Sequence, residues 1–94
     1  MPRYVIERSY TVEESEVPTV ATRSKRLARD HYPEIVWDHS HVVIDPSGQP
    51  KSFCIYEAPT EVMVRDHADR LGDHTIVAIY EIAGDVTPDD FPLN

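Results

Sequence analysis

The order of the β-branched and helical segments is the feature that most constrains the fold of this chain. Four runs rich in Val, Ile, Tyr and Phe occupy residues 3–8, 34–44, 52–58 and 74–82. A segment with helical periodicity separates the first two runs, and another separates the last two. This β-α-β-β-α-β order predicts a ferredoxin-like α+β fold, in which a four-stranded antiparallel sheet carries two helices on one face.

Local signals predict where the first helix begins and ends. Small and apolar residues recur at helical spacing from Val17 onward, and Pro18 suits a first helical turn. Thr11 and Glu14 also form a capping-box pattern, but a helix starting there would hold Pro18 in its interior. We therefore expect the later start, with Pro33 closing the helix.

The second helix and the hairpin between the middle strands have equally local signals. Thr60 is placed as an N-cap, and Gly72 stands where a left-handed C-terminal residue is expected. The Asp45–Gly48 segment, DPSG, has proline second and glycine fourth, as a type I turn prefers. It predicts a hairpin loop between strands two and three.

Length and composition bound the organisation of the chain. Ninety-four residues are enough for one domain, which we assign to residues 1–83, with residues 84–94 as a C-terminal tail over the surface or onto a neighbour. The net charge of −8 argues against a nucleic-acid partner, and the basic segment 23–29 is expected to be the solvated side of a helix. No apolar run approaches the ~20 residues that span a bilayer, so no membrane partner is expected. Cys54 is the single cysteine, which excludes an intrachain disulfide, and we expect a cytoplasmic protein.

Both faces of the predicted sheet are too apolar for one of them to face water. Strict alternation gives strand four Ile76, Ala78, Tyr80 and Ile82 on one side, with Val77 and Ile79 on the other. Strand three shows Phe53 and Ile55 opposite Cys54 and Tyr56. A second sheet from another copy would cover the open face, so we predict a homodimer formed through that face.

Two histidines two residues apart in strand two are the first candidate ligands. Alternation predicts that Trp37, His39 and His41 share one face, with the imidazoles about 6.6–6.8 Å apart along the strand. Two imidazoles at this spacing can bind one metal ion. Packed or hydrogen-bonded strand histidines are the alternative, and the sequence does not decide which face of strand two the helices cover.

Three further residues complete the predicted metal-ligand set. His67 lies on the apolar stripe of the second helix with Val64, Ala68 and Leu71, so it points inward, where it needs a ligand or a hydrogen-bond partner. Cys54 is a small buried residue or a soft ligand, and Glu7 is a hard ligand or the carboxylate that orients a ligating histidine. A helix covers only one sheet face. If His39 and His41 occupy the other face, His67 belongs to a separate site.

The same residues carry a resemblance to a known family. RYVIER, PEIVWDHSHV and FCIYEAPTEVMVRDHADRLG resemble small bacterial proteins classed as a domain of unknown function, whose best-described members are dimeric, ferredoxin-like nickel-binding proteins. The likeness covers most of residues 3 to 82. It implies a ferredoxin-like dimer and binding of nickel or another divalent transition metal. His41 departs from the family pattern, in which an aromatic residue is more usual; the matching positions are Glu7, Trp37, His39, Cys54, Tyr56, Glu61 and His67.

Three functions remain open from the sequence. The first is a divalent metal-binding protein, an intracellular carrier, buffer or sensor of nickel or a similar ion. The second is a small cofactor-independent enzyme, such as an isomerase, cyclase or monooxygenase, with His67 and Tyr56 as acid and base in a cavity between sheet and helices. The third is an interaction domain whose histidines and cysteine are structural. No nucleophile elbow or HExxH motif occurs. With three glycines in all there is no P-loop or dinucleotide-binding glycine pattern, which argues against nucleotide chemistry.

Overall fold

The computed structural model describes residues 1–93, and its elements follow the predicted order. The strands are β1 (Arg3–Tyr10), β2 (Val36–Ile44), β3 (Pro50–Glu57) and β4 (His74–Glu81), and the helices are α1 (Val17–His31) and α2 (Glu61–Leu71). Short 3-10 turns occur at Glu14–Glu16 and Pro88–Asp90. Neither helix in this part of the chain has the length and hydrophobicity to cross a bilayer.

The four strands form one antiparallel sheet in the order β2-β3-β1-β4. Even-numbered residues of β1 and β3 are buried, and odd-numbered residues lie on the opposite face. Val64 of α2 packs with Tyr4 and Ile6 of β1, while Val17 of α1 packs in a second cluster with Tyr10. Both helices therefore cover the same face, here called the helix face, and the predicted ferredoxin-like α+β fold is confirmed. The other face is called the open face.

The helix boundaries agree with their local signals. Helix α1 begins at Val17 and holds Pro18 in its first turn, and the residues just before it form a 3-10 turn rather than a capped α-helix. The hydroxyl of Thr60 accepts a hydrogen bond from the Met63 backbone N–H at 3.2 Å. Gly72 follows α2 with φ of +70°, a conformation that glycine adopts without steric cost. The predicted start of α1 and the cap of α2 are confirmed.

An irregularity in β2 changes which side chains share a face. Trp37 pairs with Tyr56, and the next pair joins His39 to Ile55, so Asp38 is an extra, bulged residue. Directly paired residues point to the same side of a sheet. Trp37 is therefore on the helix face and His39 on the open face. The prediction that Trp37 lies beside the histidines was wrong, because it assumed an unbroken strand.

A second bulge lies in β4. Ala78 pairs with Glu7 and Ile76 pairs with Arg8, which leaves Val77 as the extra residue. Ile76 therefore belongs to the helix face, and only Ala78 of this pair belongs to the open face. The predicted grouping of Ile76 with Ala78 was wrong for the same reason as in β2.

The open face keeps several apolar side chains in contact with solvent. Phe53, on the inner strand β3, is 36% exposed, and Val43 of β2 and Tyr80 of β4 are also exposed. Residues 84–93 contain no strand or α-helix and are exposed. The homodimer and the division into a domain and a tail remain predictions.

Candidate functional site

His39 and His41 lie together on the open face. His39 pairs with Ile55 and His41 with Phe53, so the bulge precedes both histidines and leaves their common orientation intact. Their ring centroids are 5.3 Å apart, with the ring planes at 90°. Both residues are exposed. The two imidazoles are thus neither splayed apart nor closed off by packed hydrocarbon.

Asp38 is the nearest carboxylate to this pair. Its Oδ1 lies 3.5 Å from Nδ1 of His39, and its Oδ2 lies 3.6 Å from a guanidinium nitrogen of Arg3. A carboxylate beside one ring nitrogen orients an imidazole and leaves the other nitrogen available. This contact of Asp38 was not predicted from the sequence.

Glu7 occupies the same face but a different strand. It pairs with Phe53, which in turn pairs with His41, so two strand spacings separate Glu7 from that histidine. This corresponds to about 9.4–9.8 Å between backbones. The carboxylate of Glu7 is 3.7 Å from Nζ of Lys51. Glu7 therefore shares the open face with the histidines without contacting them.

Cys54 and His67 lie on the helix face. Cys54 is buried and pairs with Ser40, and its Sγ is 3.3 Å from Oγ of Ser52. Within residues 1–93, no group of three or more His, Cys, Asp or Glu side chains is placed to share an ion. The five predicted ligands therefore fall into two sets on opposite faces: His39, His41 and Glu7 on the open face, and Cys54 and His67 on the helix face. Their role as ligands remains a prediction.

His67 is fully buried between α1 and the sheet. Its Nε2 lies 3.1 Å from the backbone carbonyl of Ser24, which makes Nε2 the donor and leaves Nδ1 as an acceptor with no partner among the described residues. Its ring packs edge-on against Tyr32 at 5.6 Å and lies 6.1 Å from the Tyr56 ring. Burial lowers the pKa of His67 below its usual value, and the nearby Arg8 charge adds to this effect. The imidazole is therefore neutral at pH 7.

Arg8 is a functional candidate that was not predicted from the sequence. It lies on the same, buried side of β1 as Tyr4, Ile6 and Tyr10, and it is only 2% exposed. Its Nη1 lies 3.1 Å from Nε2 of His74, whose Nδ1 donates to the Gly72 carbonyl at 2.8 Å. Nε2 of His74 is therefore an acceptor. Burial, with a smaller effect of the Arg8 charge, lowers the pKa of His74 and favours this neutral form. The period-two alternation of β1 was the signal that placed Arg8 inside.

Two adjoining spaces lie between α1 and the sheet. A small cavity of about 60 Å³ is bordered by Arg8, Ser52 and Cys54, and a wider cleft of about 470 Å³ opens toward the sheet edge beside Asp38 and His39. Residues common to both linings are Ser24, Trp37 and Tyr56. The cavity and the cleft therefore meet at these three side chains.

The architecture defines a small ferredoxin-like α+β protein with a histidine pair on an uncovered sheet face. The family model described as "Nickel responsive protein SCO4226-like" matches residues 4–82. The chain belongs to this SCO4226-like family, which confirms the resemblance seen in the sequence.

Solved structures support the fold. SCO4226 from Streptomyces coelicolor A3(2) is similar, with a TM-score of 0.66 and 16% identity over 89% of this chain and 99% of that chain. The C-terminal domain of MgtC from Mycobacterium tuberculosis has a TM-score of 0.60 at 9% identity, over 89% and 88%. The de novo designed protein Foldit4 has a TM-score of 0.58 at 9% identity, over 90% and 100%. At these identities the likeness concerns the fold alone. No curated protein matches the chain.

Proposed function

We propose that the protein binds nickel or a similar divalent late first-row metal ion through His39 and His41, as an intracellular carrier, buffer or sensor. The family description "nickel responsive" supports the choice of metal. Imidazole nitrogens suit nickel, copper and zinc alike, so the chemistry of the pair fits this class of ions. The single cysteine, which excludes an intrachain disulfide, is in keeping with a reducing compartment.

The geometry of the histidine pair is the observation that carries the proposal. Two imidazoles that bind one ion at ~2.0–2.1 Å, with a ligand–metal–ligand angle of about 90–110°, have ring centroids roughly 4.6–5.4 Å apart. The centroids of His39 and His41 are 5.3 Å apart. Small rotations about their side-chain bonds would be sufficient for both rings to reach a common ion. Asp38, at 3.5 Å from Nδ1 of His39, would hold that ring with Nε2 directed to the metal.

Two imidazoles do not complete the coordination of a divalent ion. The remaining ligands would come from water or from a second copy of the chain. A twofold dimer through the open face would cover Phe53, Val43 and Tyr80, which are otherwise exposed. Dimerisation is therefore part of the proposal, and it would give the metal site a sheltered environment.

Calorimetric titration of the untagged, chelator-stripped protein with Ni²⁺ tests the proposal. We expect saturable binding at micromolar metal. His39→Ala and His41→Ala should each weaken it at least tenfold, because one remaining imidazole no longer chelates. The matched control is His31→Ala, since His31 is exposed at the end of α1 and lies outside the strand that carries the pair.

Two outcomes would contradict the metal proposal. One is the absence of saturable heat at micromolar Ni²⁺. The other is unchanged affinity in a variant that lacks both His39 and His41. If these substitutions altered thermal stability alone, the third function, an interaction domain with structural histidines, would be favoured instead.

We infer a second candidate function, a small-molecule enzyme, from the cleft between α1 and the sheet. Burial lowers the pKa of His67 and raises the pKa of Tyr56, so a neutral imidazole lies beside a protonated phenol, with ring centroids 6.1 Å apart. Tyr56 lines the cleft and would act as the acid there, whereas the fully buried His67 lines neither space and would act as base only through Tyr56. Turnover of a small organic substrate whose pH profile loses one limb in His67→Asn would support this function. Turnover with an unchanged profile would count against these two residues.

A further inference from the structure

A buried guanidinium with an unpaired edge borders the small cavity beside the cleft. Nε and Nη2 of Arg8 are buried and have no hydrogen-bond partner among residues 1–93. These two nitrogens share one edge of the guanidinium and direct parallel N–H bonds to the same side. Nη1, on the other side, is occupied by His74. The chain therefore satisfies one end of Arg8 and leaves the bidentate edge free.

Leaving this edge unpaired is energetically unfavourable. A buried charge without a counterion loses its hydration, and each unsatisfied buried donor adds a desolvation cost. The ring of Tyr56 offers partial compensation, since the Arg8 guanidinium carbon lies 5.2 Å from the ring centroid. The neutral His74 accepts one hydrogen bond but carries no negative charge. An anion is the group that would complete the surroundings of Arg8.

The size of the cavity limits which anion can reach Arg8. Its volume of about 60 Å³ is roughly twice the share of one water molecule in liquid water. A flat carboxylate, with three heavy atoms, suits this space better than a tetrahedral phosphate with five. A carboxylate also matches two parallel N–H donors with its two oxygens.

The wider cleft indicates what the carboxylate would be attached to. Trp37, Ala28 and Ile35 contribute apolar surface to the cleft. Its charged border is mixed: Lys25 and Asp38 line it, and Arg29 is paired with Asp30 at 2.8 Å. An apolar body would pack on Trp37, and the charge that holds the acid would be that of Arg8.

We propose that the cleft between α1 and the sheet is a binding site for a small organic monocarboxylate. Its carboxylate binds the Nε/Nη2 edge of Arg8, and its apolar body lies along Trp37. This site lies between α1 and the sheet, and His39 borders the mouth of the cleft.

Fluorescence titration of the full chain tests the proposal, because Trp37 is the only tryptophan and borders both the cavity and the cleft. The probes are benzoate, acetate and the neutral isostere benzamide, at constant ionic strength with a chelator present. We expect saturable emission changes with benzoate, at least about tenfold weaker binding of acetate, which lacks the apolar body, and no binding of benzamide.

Arg8→Met is the decisive variant, since it removes the charge and keeps an apolar side chain. Truncating one partner of a buried charge pair typically weakens binding by at least about 30-fold, and we expect a loss of this size or more. The matched control is Arg26→Met, because Arg26 is an exposed arginine of α1 outside both linings. It should bind benzoate as the wild type does.

Several results would overturn the proposal: no saturable response to benzoate, equal binding of benzamide, or unchanged affinity in Arg8→Met. Equal affinity for acetate and benzoate would overturn the assignment of the apolar body to the cleft. If Arg8→Met failed to fold, the Nε–H resonances of the wild-type arginines provide a second measurement. Benzoate should move one of them downfield, and a titration that moves none would show that Arg8 does not hold the carboxylate.

Discussion

The buried histidine of α2 makes the stability of the protein depend on pH between neutrality and mild acid. His67 is 0% exposed, and burial, with a contribution from Arg8, lowers its pKa below the value of 6.5 expected in the unfolded chain. Below pH 6.5 the histidine of the unfolded state therefore binds a proton, whereas that of the folded state stays neutral to a lower pH. The free energy of unfolding must fall as the pH decreases toward the folded pKa. Above pH 6.5 this contribution is fully present.

The variant His67→Gln isolates the effect, because glutamine does not titrate and its amide N–H can still donate to the Ser24 carbonyl. Between pH 7.5 and 5.5, one histidine that stays neutral in the folded state costs up to about 1.4 kcal/mol of stability. Over that interval, the free energy of unfolding of the wild type should fall by up to about 1.4 kcal/mol more than that of His67→Gln. His74, whose pKa is also lowered, titrates in both proteins and cancels in the difference.

Urea unfolding at pH 7.5, 6.5 and 5.5, with a chelator present, measures the two free energies. The absolute stability of the variant is not the test, since a core substitution shifts it at every pH. Parallel loss of stability in the two proteins would refute the reasoning, because it would mean that His67 takes up a proton in the folded state as readily as in the unfolded one.

Three further substitutions test the packing, the helix cap and the open face. Ile6→Ala should lower the free energy of unfolding by about 2–5 kcal/mol, since Ile6 is 0% exposed. Its control is Val62→Ala, at a position 66% exposed, which should change the free energy of unfolding by less than about 0.5 kcal/mol. Urea unfolding measures both variants, and similar losses would contradict the assigned core. Thr60→Ala removes the cap on the Met63 N–H and should cost about 1 kcal/mol in the same assay, whereas unchanged stability would show that the cap contributes nothing. Phe53→Lys should convert the proposed dimer to a monomer in sedimentation measurements, and a dimer in both proteins would exclude the open face as the interface.

The helix ends could be predicted because their signals are local. Pro18 restricts where α1 can begin, and Thr60 and Gly72 act on backbone groups within a few residues of themselves. The element order then left the ferredoxin-like arrangement as the natural way to bury two amphipathic helices on one sheet. None of this required knowledge of distant contacts.

The bulges could not be predicted, because they depend on pairing between strands. Nothing in the residues around Asp38 or Val77 distinguishes a bulge from regular alternation, yet each extra residue changes the face of the side chains before it. His39 and His41 kept their common face only because both follow the bulge. The sequence alone could not tell which face that would be.

Arg8 shows a different failure. The alternation that contains it was visible in the sequence, but no role was predicted for Arg8, and charged residues in strands are mostly exposed. Tyr4, Ile6 and Tyr10 are buried on the same side of β1, so the position of Arg8 in the strand determined its burial more than its residue type did. The alternation of a strand is therefore the better indication of whether one of its arginines is buried.

Both bulges lie in the outermost strands of the sheet, β2 and β4. An outer strand presents a row of unpaired backbone N–H and C=O groups, with which a strand of another chain could pair. The extra residue of a bulge bends the strand and disrupts the regular spacing of these groups. Continuation of the sheet from one molecule into the next is therefore hindered at each margin. The proposed association through the open face would stack sheets rather than extend them laterally.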